Sequence, residues 1–232
     1  MIRLSKYIAE SGYCSRRRAD TLIEEGKVTV DGACVTLHPC LVRGDEEIIV
    51  EGRRLSPLKK EYYRFYKPPG YVCSHKDRHN TTIYDYLGQK YAYLRYIGRL
   101  DKASEGLLIL TNDGSLIQRY SHPGFEVNRS YEVVLDRELT PGETVQMCRG
   151  IKDAGETLQC DAVEMSGGKT YIFHLHTGRK REIRRMVSSV GARVLLLKRI
   201  QYGAVSLQGL KKGELVPLTP EEMSRLIPPE AR

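Results

Sequence analysis

The 232-residue sequence has no tryptophan and only three phenylalanines. It also has no run of ~18 uncharged apolar residues and no basic-then-apolar leader, which predicts neither a membrane-spanning nor a secreted protein and points to the cytoplasm. Six cysteines, Cys14, Cys34, Cys40, Cys73, Cys148 and Cys160, never form a C-x-x-C pair. They match neither zinc spacing nor a redox dithiol, and read as reduced structural thiols. Gly168-Lys169-Thr170 looks like the end of a phosphate-binding loop, yet Val163 stands where that loop needs glycine. G-x-G-x-x-G is missing, which removes a dinucleotide site and the usual methyl-donor loop, and the missing G-x-S-x-G argues against a serine hydrolase. His75 and His79 are four apart, but their Lys-Asp-Arg spacer and the Asn-Thr-Thr that follows read as loop, so no metal site is expected.

What is present is ordinary globular composition, with 41% hydrophobic and 28% charged residues. Fifteen tyrosines supply rings that both stack and hydrogen-bond. Lys and Arg number 37 against 29 Asp and Glu, a net +8 that favours a polyanionic partner, nucleic acid first.

The chain divides near residue 58. Leu4, Tyr7 and Ile8 are at helical spacing before Gly12, and Ser15 is a good N-cap for a second helix that stops at Gly26. Asp31-Gly32 between Lys27–Val30 and Ala33–Thr36 is a hairpin signal, and Glu47–Val50 supplies a further strand. The polar stretch from Gly52 to Glu61 reads as a linker. Residues 1–58 hold nine basic and nine acidic side chains, so residues 59–232 carry the whole excess. Arg16, Arg17 and Arg18 stand in the first turn of the second helix, where each cation opposes the macrodipole by ~0.3–1 kcal/mol. Such a cluster is expected to contact phosphate, a solvated patch being the alternative. Arg-Leu-Ser-Lys-Tyr-Ile-Ala, Ser-Arg-Arg-Arg-Ala-Asp and Ile-Glu-Glu-Gly-Lys-Val-Thr-Val-Asp-Gly together resemble, over residues 1–50, the αL RNA-binding motif of a small-subunit ribosomal protein and several RNA-modifying enzymes.

Beyond residue 61 short strands are expected at 63–66, 107–111, 131–135, 169–175 and 194–197, and helices at 82–87, 115–120, 140–150, 180–190 and 220–227. This pattern predicts an α+β domain with a largely antiparallel sheet. The loop Gly98-Arg99-Leu100-Asp101-Lys102-Ala103-Ser104-Glu105-Gly106 is too long and too charged for a minimal hairpin. Its flanking cations would keep Asp101 ionised as a nucleophile, base or ligand; a turn-capping Asp is the alternative. Residues 179–199 carry a net +7. Ile183, Met186, Val187 and Val190 give this segment a buried helical face. Arg184 sits at the border of that face, placed to reach a carboxylate, while Arg179, Lys180, Arg181 and Arg185 point outward to phosphates, a solvated basic face being the alternative.

Lys67-Pro-Pro-Gly-Tyr, Gly98-Arg-Leu-Asp followed by Gly106-Leu-Leu-Ile-Leu-Thr-Asn-Asp-Gly, Arg129-Ser-Tyr131-Glu-Val, Gly178-Arg-Lys-Arg-Glu-Ile-Arg184-Arg-Met and Val194-Leu-Leu-Leu197-Lys-Arg occur in the order found in pseudouridine synthases of the RsuA type, which the chain resembles over nearly its whole length. The resemblance implies an αL RNA-binding domain at residues 1–58 followed by a pseudouridine synthase domain at 59–232 with a mixed, largely antiparallel sheet. It implies that Asp101 is the essential aspartate, that Tyr131 stacks on the target base and Leu197 packs against it, that Arg184 pairs with the aspartate, and that Lys67 and Arg99 support the site. The reaction needs no cofactor. The expected partner is ribosomal RNA, in a pre-ribosomal particle, met by a monomer. The compact chain without long basic tails, together with Tyr71-Val-Cys-Ser, tilts the expectation to small-subunit 16S rRNA. A large-subunit 23S enzyme and a non-catalytic rRNA-binding or assembly protein are the alternatives.

Overall fold

The computed structural model describes residues 1–37, 39–122 and 124–226. The chain forms two compact units, Met1–Glu61 with Asn112–Gly114, and Tyr62–Thr111 with the described chain from Ser115 onward.

In the first unit β1 (Ile2–Arg3) leads into α1 (Leu4–Glu10) and α2 (Arg16–Glu24), followed by β2 (Val28–Val30), β3 (Ala33–Cys34), β4 (Leu41–Val42), β5 (Ile48–Val50) and β6 (Arg53–Leu55). Ser15 caps α2 by accepting from the Arg18 amide, as its position predicts. Asp31 and Gly32 both take positive φ, 48° and 79°, and close the β2–β3 hairpin. Glu51 and Gly52 repeat the device at φ 48° and 80° and fold β6 back onto β5. Arg53–Leu55 is therefore strand and not linker, and Leu55 joins Leu4, Ile8, Leu22, Ile23, Ile48 and Val50 in the core.

The second unit contains β7 (Tyr62–Lys67), α3 (Ile83–Leu87), β8 (Arg95–Ile97), β9 (Glu105–Thr111), α4 (Gly114–Ser121), β10 (Arg129–Leu135) and α5 (Pro141–Arg149). It continues with β11 (Ile151–Asp153), β12 (Glu156–Leu158), β13 (Ala162–Gly167), β14 (Thr170–Leu175), α6 (Glu182–Ser189), β15 (Val194–Tyr202), β16 (Val205–Ser206), β17 (Leu215–Pro217) and α7 (Pro220–Leu226). Thr82 and Thr140 each form a capping box, with Asp85 and Glu143, which fixes where α3 and α5 begin. The helix expected at 220–227 is α7, and Ile227 lies outside the described residues. The helix expected at 180–190 begins later, at Glu182, because Arg181 takes a left-handed conformation at φ 53°.

The main sheet runs β13-β14-β10-β15-β9-β7-β17, with β16 flanking β15 and β8 flanking β9. Every pairing is antiparallel except β15 with β9, which touch only through Lys198–Glu105 and Arg199–Gly106. This two-residue seam joins two half-sheets, each with its own helices. Ile183, Met186 and Val187 of α6 pack on Val133, Leu135 and Leu197, whereas Ile83 and Tyr84 of α3 pack with Phe65, Leu108 and Leu110.

Gly106 sits at the seam with φ 109°, and a Cβ there would collide with the Arg199 backbone. Gly106→Ala should therefore destabilise the protein by about 3 kcal/mol or more, strain and overpacking acting together. At Gly32, where φ is 79° and a Cβ would meet nothing within 4 Å, the same change should cost only about 1 kcal/mol. Denaturant unfolding of the two variants measures the difference.

Candidate active site

Four residues far apart in sequence fall in one row across the seam. Lys67 pairs with Gly106, Gly106 with Arg199, and Arg199 with Tyr131. Paired residues in a sheet share a face, so Lys67, Arg199 and Tyr131 rise on the same side with only the glycine hydrogen between the first two. Leu197, two positions before Arg199 on β15, shares that face by the period-two rule.

The loop 98–104 joins β8 to β9 over this row. Lys67 is fully buried, and its ammonium donates to the carbonyl oxygens of Pro68 (3.0 Å), Asp101 (3.3 Å) and Ser104 (2.7 Å). The Gly70 amide donates to Lys102 O at 2.7 Å and the Ser104 amide to Asp101 O at 3.0 Å. The loop is thus gripped through its backbone by the Lys-Pro-Pro-Gly element, while the Asp101 carboxylate makes no hydrogen bond or ion pair among the described residues.

Arg184 lies over the same loop. Its Nη2 donates to Ala103 O at 3.4 Å and approaches Ser104 Oγ at 3.5 Å, and its Nη1 donates to Val194 O at 3.3 Å. No ion pair joins it to Asp101 among the described residues, which corrects the expected pairing. The aspartate is still close enough to be felt, since burial and Arg181 lower the guanidinium pKa and Asp101 opposes them.

A cleft of about 470 Å³ opens above the row, lined by Asp101, Tyr131, Leu197, Arg99, Lys102, Arg129 and Arg199. Arg179, Lys180 and Arg181 edge it from the turn before α6. That turn is folded about the buried Glu182, which accepts from Thr177 Oγ1 (2.7 Å) and the Arg179 amide (2.9 Å), leaving all three basic residues exposed. Arg179 also donates to Thr157 O.

Residues 61–189 match the RNA pseudouridylate synthase family, and residues 2–38 match the S4 domain. The Bacillus subtilis (strain 168) protein named Ribosomal large subunit pseudouridine synthase B is 37% identical, over 97% of this chain and 96% of its own. The chain belongs to the RNA pseudouridylate synthase family. The synthase is also 34% identical to the Escherichia coli (strain K12) Dual-specificity RNA pseudouridine synthase RluF, over 96% of this chain and 77% of that one. A crystal structure of a pseudouridylate synthase superposes with a TM-score of 0.71 at 29% identity, covering 98% of this chain and 100% of the other.

Not every residue singled out in the sequence stands at the cleft of the synthase. Arg185 is bound to Asp153 and, at 2.7 Å, to Glu156, both from the β11–β12 hairpin. It is therefore not the free phosphate contact expected from its helical position. Arg16, Arg17 and Arg18 are exposed at the start of α2 in the other unit, with Arg18 3.4 Å from Glu25. His75 stacks on Tyr84 with ring centres 4.1 Å apart, and His79 lies in a turn built on Asp77. Arg129 and Arg199 were not singled out; the signal for Arg199 was its even spacing from Leu197 along a strand.

Burial, the largest influence, lowers the Lys67 ammonium to about 8, with Cys73, Asp101 and Glu105 opposing it. An ammonium has three donors for its three carbonyls and a neutral amine has two. Protonated Lys67 is then the competent form, so turnover should decline as pH rises through about 8. Lys67→Met should lower turnover at pH 7 by roughly 10–100-fold through loss of loop position, flatten that alkaline limb and leave RNA affinity within about threefold. A pH–rate series on both proteins checks it. Arg185→Ala should lower the melting temperature by about 2–4 °C and leave the salt dependence of RNA binding unchanged. Thermal melts and a salt titration measure both.

Proposed function

We propose that this synthase isomerises a uridine of ribosomal RNA, and that its target lies in large-subunit 23S rRNA. The support is similarity along nearly the full length to a protein named for the large subunit, at 37% identity. That weighs more than the short tails and the Tyr71-Val-Cys-Ser segment, which favoured the small subunit from sequence alone, because it draws on both units of the chain at once. The S4 match and the exposed Arg16–Arg18 cluster support an RNA-docking role for the first unit.

The observation that carries the chemistry is a carboxylate without a partner among the described residues, in a cleft that also holds a phenol ring, an apolar side chain and a rim of cations. Isomerisation breaks the bond from ribose C1′ to uracil N1, turns the uracil and joins C1′ to C5. In our reading Asp101 acts on the ribose, by attack at the anomeric carbon or by removing a sugar proton, where oxocarbenium character develops as in glycoside cleavage. Tyr131 and Leu197 hold the flipped uracil between ring and alkyl faces, offsetting the few kcal/mol of unstacking, and the Tyr131 phenol can relay the C5 proton. Arg184 holds the far side of the Asp101 loop through Ala103 O. Lys67 supports the loop from below, Arg99 and the 179–181 turn meet phosphates.

Asp101→Asn should remove at least ~10³-fold of pseudouridine formation and leave RNA affinity within about threefold, because shape and polarity are kept. Persistent turnover in the purified variant contradicts the assignment. Mapping pseudouridines in the 16S and 23S rRNA of a strain lacking the protein tests the target: a residue lost from 23S supports the proposal, and one lost only from 16S restores the small-subunit reading.

A further inference from the structure

Arg199 is 1% exposed, yet it lines the cleft. A guanidinium has five N–H donors and no acceptor, and it stays charged at any pH the protein meets. Here Nε donates to Leu107 O at 2.8 Å and Nη1 reaches Arg99 O at 3.5 Å, but Nη2 has no partner among the described residues. Buried donors are almost always satisfied, so one left open beside a cleft asks for a ligand atom. The fold goes to some length to keep this cation in place. Its Cζ lies 4.9 Å from the centre of the Tyr202 ring, and the two glycines flanking the Asp101 loop make room, Gly98 for the guanidinium and Gly106 for the strand that carries it. A Cβ on Gly98 would stand 3.4 Å from Nη1, and one on Gly106 would strike the Arg199 backbone. Because the Nη1 contact is long, a small rotation of the guanidinium brings an Nη donor to the cleft.

The position of that donor selects its acceptor. Arg199 is the direct cross-strand partner of Tyr131 and shares the sheet face with Leu197. A base held between Tyr131 and Leu197 presents its edge to the floor of the cleft, where Arg199 lies, whereas the phosphates meet the exposed rim of Arg179, Lys180 and Arg181. We propose that Arg199 donates a hydrogen bond to a carbonyl oxygen of the target uracil and stabilises the negative charge that the ring acquires on detachment. When the N1–C1′ bond breaks, its electron pair leaves with the uracil and spreads from N1 over the carbonyl oxygens. The bond from Arg199 is strongest at that moment. It weakens again when C5 attacks C1′, which uses that electron pair and leaves the ring neutral, and the proton then lost from C5 is balanced by one gained at N1. This rests on the reading that Tyr131 and Leu197 hold the base.

The experiment is single-turnover kinetics and RNA affinity for Arg199→Gln and Arg199→Lys, on target RNA carrying uridine or 5-fluorouridine, with the folded state checked by thermal melting. Loss of one preorganised donor to a developing anion lowers the chemical step by roughly 10²–10³-fold, so Arg199→Gln should fall in that range with affinity within about threefold. Fluorine makes the ring a better leaving anion, so the deficit should be distinctly smaller on 5-fluorouridine. Arg199→Lys, which keeps the charge but not the fork, should recover part of the rate, and it carries the test by the same leaving-group comparison if the glutamine variant does not fold. Equal deficits on the two substrates in a folded variant overturn the proposal, as does a rate within threefold of the parent. Lost affinity with a salt slope reduced by about one would make Arg199 a phosphate contact and overturn it also. Leu197→Ala separates the underlying reading: if it changes neither rate nor affinity, the base is held elsewhere, and if it lowers the rate while Arg199→Gln does not, only the role of Arg199 fails.

Discussion

The second unit depends on one close approach, the parallel contact of β9 with β15 at Gly106 and Arg199. Two half-sheets with separate helical layers meet there along two residues, and the absence of a side chain at Gly106 lets them do so. A contact that short leaves the strands free to diverge on either side, and the loop 98–104 enters the sheet at the point of divergence. The cleft is a consequence of the topology: it opens where the sheet is narrowest, between a helix of one half-sheet and the loop of the other.

The same seam explains why the informative sequence segments are scattered. Lys67, Gly106, Tyr131 and Arg199 belong to four strands that are consecutive in space, so each short motif marks the point where its strand crosses one line. Turn chemistry was legible in the Asp31-Gly32 hairpin and the Ser15 cap, and the helices expected from 82 and 140 begin where Thr82 and Thr140 cap them, all through neighbours within three residues. Leu55 was misjudged because Glu51 needed a left-handed φ that its residue type does not advertise, and the Ala154 turn at φ 49° hid the β11–β12 hairpin for the same reason. Arg185 was misread for a different reason. Helical periodicity gives the direction a side chain points, but not which acids another segment has folded into its path.

Charge shows this sorting most clearly. The sequence supplies a net +8, but Arg137, Arg185, Arg193 and Lys198 are each held by a carboxylate within the second unit. Of the cations that make no ion pair among the described residues, Arg99, Lys102, Arg179, Lys180, Arg181 and the buried Arg199 line the cleft together. A polyanion responds to such local excess, not to the total, because exposed charges more than a Debye length apart are screened.

Asp101 shows how a carboxylate can be placed without its own oxygens being used. Hydrogen bonds to a carboxylate fix it well but stabilise its charge and blunt it as a nucleophile or base. Here the donors go to the backbone instead: Lys67 and the Ser104 amide occupy the Asp101 carbonyl oxygen, and Arg184 takes Ala103 O. The residue is held by its main chain on a clamp that is itself fully buried, and its side-chain oxygens make no hydrogen bond or ion pair among the described residues. The cost of this arrangement falls on Lys67, a buried cation with no ion pair among the described residues, and three carbonyl dipoles are the compensation the fold supplies. The electrostatic cost of the site thus sits one layer beneath the cleft, in a residue with no exposed surface.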